Sequence, residues 1–474
     1  MIPPLLGALA CLMALPSLTP MSANSEAGAA PKEGAASRAP TQAQKPHFTV
    51  IPPGPVTDKI RVELRLAAPN HAKTPRAFTV GFYHDKVAVS NLIARQEVTA
   101  PPGGFALARA WWKTAGQAGE HRLLYRVESE TGRQQGSWPL AVVASKTRAL
   151  PVLQAAWFDP GGIEGYARER AVTAQDVRDM VDAMKRLGMS AIIVTYVEYL
   201  GGFYYPSRLS FYDHDVNREA KGNKLRFDVL EAVLSQADKH GMHVFLGLGR
   251  GGDTWLLWQF DKPDWQQRNE TMLALSRKVA QELWERYRQH RSLYGWYLTH
   301  EMNDLARASA YYNPIADTCH SLSPDMPVLV APAGTPIITK ESLANSHVDI
   351  FAYQDAVGSG YVPYKNTWQP EQRIAMLEKI YRDYRAWHEE SDKHLWSDLE
   401  VWEMDGTHGY SHAYPPSFAR VRRQIEIEAK YVEMLTAYEY TGFLEAPDSR
   451  ARLKDRRAAR LYADYANYLK TRLP

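Results

Sequence analysis

The sequence predicts an α/β chain: a (β/α)8 TIM barrel preceded by a small antiparallel β-sandwich of immunoglobulin type. Three observations carry this. From Pro151 onward, short apolar runs alternate eight times with amphipathic helical stretches. Such alternation demands parallel strands joined by crossovers, and eight units is the count that closes a barrel. From His47 to residue 147 the apolar period is instead two, with Pro, Gly and Thr between the runs, which is the pattern of half-buried strands. No Gly-x-Gly-x-x-Gly follows the first barrel run, where an open doubly wound sheet would usually show it.

Taken in order, the 474 residues divide into four parts. Residues 1–22 read as a signal peptide: Leu5 to Leu15 is apolar, too short to span a bilayer, and small residues follow around Ser22. The expectation is export, periplasmic or secreted, although the start, Met1-Ile-Pro-Pro, lacks the usual Lys or Arg. Residues 23–46 are rich in Ala, Ser, Gly, Pro and Gln and read as a linker that buries no core. Residues 47–147 form the sandwich, with strands expected around Lys59, Ala77, Ala106, His121 and Pro139. Residues 151–474 form the barrel, with strands expected at 153–158, 191–197, 243–249, 293–301, 327–332, 349–354, 394–400 and 437–443. Helices are expected between them, the first capped at Thr173 and the one before the last strand running over 417–435.

Composition narrows the function. Lys and Arg number 56 against 53 acids, a net +3, so no strong field for nucleic acid exists. The basic run 450–460 has helical spacing and reads as a solvated helix face. Cys11 falls in the leader, which leaves Cys319 alone and no internal disulfide. No Cys/His spacing suits a metal and no Gly-rich loop precedes a Lys-Ser/Thr, so neither metal nor cofactor is expected. No stretch is long and apolar enough for a membrane span. With 13 Trp and 26 Tyr, aromatic content is high. Aromatics pack cores, and they also offer flat faces to the C–H side of a pyranose.

In a barrel of this kind, chemistry sits at the C-terminal ends of the strands. The second strand ends at Tyr196 and Glu198, and the third at Arg250 and Asp253. The fourth ends at His300, Glu301 and Asn303, the sixth at Gln354 and Asp355, and the seventh at Trp396, Glu400, Trp402 and Glu403. Asp304 reads as the cap of the helix that follows it. An apolar strand running into a Glu among aromatics is unusual for stability alone, because a buried carboxylate is costly unless paired. Glu301 and Glu400, on strands four and seven, stand across the barrel mouth and could flank one bond. Two carboxyls with separated pKa values are the minimum kit for glycoside hydrolysis. Trp157, Tyr196, Glu198, Arg250, Asp253, Trp255, His300, Asn303, Gln354, Asp355, Trp396, Trp402 and Glu403 complete the expected substrate-binding shell. Trp255 and Trp258 read equally well as packing of a short helix.

The pairing of a strand-four Glu with a strand-seven Glu resembles the large clan A of (β/α)8 retaining glycoside hydrolases. There an Asn usually precedes the strand-four acid; here His300 does. Gly295-Trp-Tyr-Leu-Thr-His-Glu301, Asp349-Ile-Phe-Ala-Tyr-Gln-Asp355-Ala-Val-Gly358 and Leu395-Trp-Ser-Asp-Leu-Glu400 more closely resemble an uncharacterised bacterial family of glycosyl-hydrolase-like barrels, over Pro151 to Pro474. The resemblance implies Glu301 as acid/base and Glu400 as nucleophile, with retention, acting on a polysaccharide or oligosaccharide; Glu403 competes for the second role. Two other functions stay open: a carbohydrate-binding barrel without catalysis, and a polysaccharide lyase or deacetylase, for the latter of which no convincing His/Asp metal site is found.

Overall fold

The computed structural model describes residues 45–166, 171–199, 202–209, 225, 227–251, 257, 259–360, 370–404, 413–450 and 455–472. The leader, the linker up to residue 44, Asp253, Trp255 and Trp258 lie outside the described residues.

The N-terminal part is two packed sheets. One holds β1 (His47–Ile51), β3 (Arg61–Pro69) and β6 (Phe105–Lys113); the other holds β2 (Val56–Thr57), β8 (Gly132–Val143), β7 (Gly119–Ser129), β4 (Arg76–His84) and β5 (Leu92–Ala100). Strict alternation along β6 sends Ala106, Ala108, Ala110 and Trp112 into the core between the sheets. The sequence reading missed β1, β2 and β5. The first two are short, and β5 is an edge strand, largely solvated, whose apolar residues are too few to signal a face.

The second part is a closed barrel of eight parallel strands: β9 (Ala155–Phe158), β10 (Ala191–Val194), β13 (His243–Gly247), β14 (Leu293–Leu298), β15 (Val328–Val330), β16 (Ile350–Gln354), β17 (His394–Glu400) and β18 (Met434–Tyr438), the last pairing back to β9. A short hairpin, β11 (Glu198–Tyr199) with β12 (Gly202–Phe203), follows the second strand. Around the strands pack α1 (Pro160–Tyr166), α2 (Ala174–Arg186), α3 (Val229–His240), α4 (Trp265–Tyr287), α5 (Leu305–Leu322), α6 (Lys340–Ala344), α7 (Pro370–His388), α8 (Phe418–Glu428) and α9 (Arg456–Leu469). Thr173 caps α2 through a capping box, and Asp304 caps α5 by accepting the Arg307 N–H, both as the sequence suggested. The eighth strand needs correction. It begins three residues earlier than expected, and α8 ends at Glu428. The helical apolar spacing continues past the turn at Ala429–Glu433, but pairing of Met434 with Trp396 sets the strand register.

Ala155, Trp157, Ile193, Phe245, Tyr297, Ile350, Trp396 and Met434 fill the barrel interior as a packed core. Ile51 joins them from the sandwich. Here β3 does two jobs. Val62, Leu64 and Leu66 face the sandwich core, while Glu63 and Arg65, on the opposite face, are buried against the barrel floor. Arg65 donates to Asp349 at 2.6 Å, His394 lies 3.2 Å from Glu63, and the Tyr294 hydroxyl donates to the Val50 carbonyl at 2.8 Å. Trp138 stacks on His243 with ring centroids 4.9 Å apart. His243, Tyr294 and His394 all lie at strand beginnings, so the sandwich seals the end of the barrel opposite its mouth. Among the described residues no helix is long and apolar enough to cross a membrane.

Candidate active site

Alternation along β17 turns Trp396, Asp398 and Glu400 inward, while Leu395 and Leu399 pack outward against the helices. Glu400 is the last of the inward set and the strand's final residue. It is 5% exposed, and its carboxyl accepts the Ser359 N–H at 3.1 Å. Its backbone carbonyl is clamped by Arg420 (2.8 Å) and Gln424 (3.2 Å). Burial, then the negative charge of Asp355, pushes its pKa up to about 8, against the pull of the Ser359 and Gly358 amides and of Arg420. Gly358 has to be glycine: a Cβ there would meet the Trp402 carbonyl and sit 3.0 Å from the Glu400 carboxyl. Gly358→Ala is therefore expected to push the Glu400 carboxyl off its amide and cut glycan turnover by at least about tenfold, checked by kinetics beside an unchanged circular dichroism spectrum.

Glu301 comes just past the end of β14, with the same inward parity as Tyr297. Its side chain opens to solvent at the mouth, yet the surrounding walls strip its carboxyl of water, and this desolvation raises its pKa. The Gln354 amide and the Arg250 charge oppose the rise. Gln354 is oriented for this. Its carbonyl oxygen accepts the Gly334 N–H at 3.3 Å, which leaves its NH2 for Glu301. Strands four and seven are three apart in a ring of eight, so the two Glu approach one space from nearly opposite sides. Asp398 lies below both: it is 1% exposed, and burial, then Glu400 and then Glu301, drives its pKa well above the usual carboxylate range.

The expected shell divides. Gln354, Arg250 and Asn303 remain accessible or half-accessible at the mouth. Tyr196, 8% exposed, borders it and feels both Asp159 and Arg250. Glu198 is fully buried, and its carboxylate accepts the Gly251 N–H at 2.7 Å. His300 is backed by the Tyr311 hydroxyl at 2.8 Å, and burial, reinforced by Arg250, lowers its pKa to about 3; it stays neutral. Trp157 and Trp396 are 0% exposed inside the barrel core, so packing, not a sugar, occupies their faces. Trp402 is buried beside Gly358. Asp355 also lies behind the site. Fully buried, it accepts the N–H groups of Val357 (3.0 Å) and Glu400 (3.2 Å) and the Gln424 amide. It positions Glu400 rather than touching solvent. Glu403, beyond the strand, takes the Tyr414 hydroxyl at 3.2 Å, with Arg420 4.0 Å away.

Sequence reasoning passed over Tyr438, Asp398 and the trio on α8. Tyr438 ends β18, half-exposed, 5.9 Å from the Trp157 ring; misplacing that strand hid it. Asp398 could have been found from its two-residue spacing to Glu400. Arg420, Gln424 and Glu428 recur every four residues on one helix face turned to β17, a polar stripe where an apolar one is usual. No group of three or more His, Cys, Asp and Glu among the described residues is placed to hold a metal ion.

A family model described as a domain of unknown function, DUF4434, matches residues 157–451, from the first barrel strand to beyond the last. The chain belongs to the DUF4434 family. The DUF4434 match leaves out the sandwich and the final barrel helix, α9. Among curated proteins, none matches the chain in sequence. Solved structures resemble it remotely. A proposed α-L-fucosidase from Bacteroides thetaiotaomicron shares 17% identity over 67% of this chain and 93% of its own, with a TM-score of 0.49. An endo-β-1,4-mannanase from Thermotoga petrophila shares 12% over 68% and 78%, TM-score 0.44. A GH2 β-galacturonidase from Eisenbergiella tayi shares 11% over 90% and 72%, TM-score 0.41. These likenesses are too distant to bear on the chemistry of this DUF4434 barrel.

Proposed function

We propose that this barrel hydrolyses glycosidic bonds of a polysaccharide, with Glu301 and Glu400 as the catalytic pair. The observation that carries the reading is a buried Glu400 carboxyl, pKa about 8, set across the mouth from a desolvated but solvent-facing Glu301. Burial raises the pKa of both carboxyls, and unequal surroundings set them apart, which favours keeping a proton on one of them toward neutral pH as glycoside hydrolysis needs. Glu301 can exchange protons with water, as an acid/base must. Glu400 is shielded from water, and the Ser359 and Gly358 amides stand ready to hold its anion as a nucleophile. Retention of anomeric configuration follows from these roles. Export remains part of the proposal on the strength of the leader alone.

The test is product release from a panel of bacterial exopolysaccharides and plant glycans, run beside Glu301→Gln and Glu400→Gln. Cleavage that both variants lose, with retained configuration in the product, supports the reading. Glycan binding without cleavage by the wild type makes the barrel a binding module instead.

The pH dependence follows from the same groups. Whichever carboxyl holds the proton, kcat/KM should rise as the lower pKa of the pair is passed and fall above about 8. Asp355 raises the pKa of Glu400 by its charge, so Asp355→Asn should move the alkaline limb to lower pH. A pH–rate profile of both proteins checks this.

A further inference from the structure

Most cationic side chains near the mouth are already engaged. Arg420 donates to the carbonyls of Glu400 and Trp402, and Arg373 to the Asp355 carbonyl and the Thr335 hydroxyl. His300 is kept neutral by burial. Arg250 differs. Among the described residues its guanidinium has no hydrogen-bond acceptor and no ion-pair partner, although its backbone N–H is held by the Glu198 carbonyl at 3.0 Å. Its neighbours are aromatic: the guanidinium carbon lies 5.6 Å from the ring centres of both Tyr196 and Tyr199. Glu198, an acid close by, gives its carboxylate to the Gly251 amide. Glu301 acts on Arg250 electrostatically without forming an ion pair, and Tyr438 does the same from the last strand. The side chain is half-buried at the edge of the same mouth.

A partly dehydrated guanidinium without a carboxylate partner is costly, and an anion brought by a ligand relieves that cost. The planar fork of N–H groups matches a carboxylate with two parallel bonds, whereas sugar hydroxyls are served as well by an amide such as Gln354. The two tyrosine rings hold the guanidinium plane and offer packing to a pyranose. We propose that Arg250 receives a carboxylate of the substrate, so that the glycan taken by this mouth carries uronic acid units. This rests on the carbohydrate reading of the site above and adds the substrate class to it.

The experiment is calorimetric binding to the full chain with matched pairs of probes. These are oligogalacturonates against their methyl esters, and C6-oxidised cello- and manno-oligosaccharides against the neutral parents. At least one acid should bind about 10- to 100-fold more tightly than its neutral partner, the range of a charge-assisted contact, with the preference shrinking as salt rises. Arg250→Gln should erase that preference, bringing the affinity for the acid down to that for its neutral partner, and Arg250→Lys should keep part of it. If no pair shows the acid preferred, or if Arg250→Gln weakens both members of a preferred pair equally, the proposal is overturned; the wild-type comparison decides even where a variant fails to fold. Cleavage of a neutral glycan with no acid preference would sink this inference and leave the hydrolase reading standing. Acid-selective binding through Arg250, with no glycan cut, would do the reverse.

Discussion

Glu301→Gln should lose about 10²- to 10⁴-fold in kcat/KM on an unactivated glycan, yet keep most of its kcat/KM on an aryl glycoside whose leaving group needs no proton, while turnover on that aryl glycoside falls because hydrolysis of the intermediate becomes limiting. Glu400→Gln should lose comparably on both. Removing the acid/base slows the departure of a poor leaving group and the attack of water on the intermediate, but not the departure of a good leaving group, whereas removing the nucleophile blocks the first step for every substrate. Azide should rescue the first variant by attacking the glycosyl intermediate where water lacks its base, and should give a product of retained configuration. The electrostatics make the assignment worth testing directly. In the unliganded protein burial raises the pKa of both carboxyls, reinforced by Asp355 at Glu400 and opposed by Gln354 and Arg250 at Glu301, so the proton is drawn toward Glu400. For Glu400 to attack, its proton has to pass to Glu301 as the sugar enters. Positive charge growing on the anomeric carbon favours that transfer, because it stabilises the carboxylate nearest to it. The opposite pattern of leaving-group dependence would exchange the two roles.

Much of this was legible because the barrel imposes simple rules. The eight-fold alternation of apolar runs with helical stretches reported the barrel, whereas the sequence left Glu400 and Glu403 in competition, because where the strand ends, at Glu400, is set by its pairing with the neighbouring strands. Caps at Thr173 and Asp304 were readable because capping is local. What failed was non-local. Trp396 sits in the body of its strand and Trp157 one residue short of the end of its own, so their inward rings fill the core instead of reaching the mouth. Asp355 follows an inward Gln354, so parity turns it toward α8, where Gln424 meets it; only the helix packing shows that it is a support for Glu400. Glu63 and Arg65 alternate with apolar residues on β3 and read as a solvated face. They are 0% and 2% exposed because a second layer, the barrel floor, covers them. Period-two patterning reports which residues share a face, and it says nothing of what lies against that face.

That covered face makes the sandwich part of the barrel's stability, with a large expected effect. Arg65 bonds Glu63 at 2.8 Å and Asp349 at 2.6 Å, and Asp349 also takes the Val328 N–H and faces His320, each at 2.8 Å. Arg65→Met should cost about 3–5 kcal/mol, since it removes the one cation shared by two buried carboxylates and leaves Glu63 to Arg109 and His394, and Asp349 to His320. Chemical denaturation should show one cooperative transition for sandwich and barrel together, and a chain beginning at residue 148 should not refold. An isolated barrel that stays soluble with its native melting temperature would overturn this. The pH dependence of the interface has two signs. Arg65 and the neighbouring cations outweigh burial to hold Glu63 and Asp349 below the usual carboxylate range, so their contribution is complete above roughly pH 4.5 and fades as pH falls. His394 has its pKa raised by Glu433 and Glu63 against the opposing effect of burial. Its contribution is complete below about pH 6.5 and fades as pH rises through its folded value. The melting temperature should therefore be highest in the mildly acidic window between these limits. His394→Gln, which deletes the titrating group, should flatten the alkaline side of that curve and, because His394 also helps hold Glu63 and Glu433 low, soften the acid side to a smaller extent.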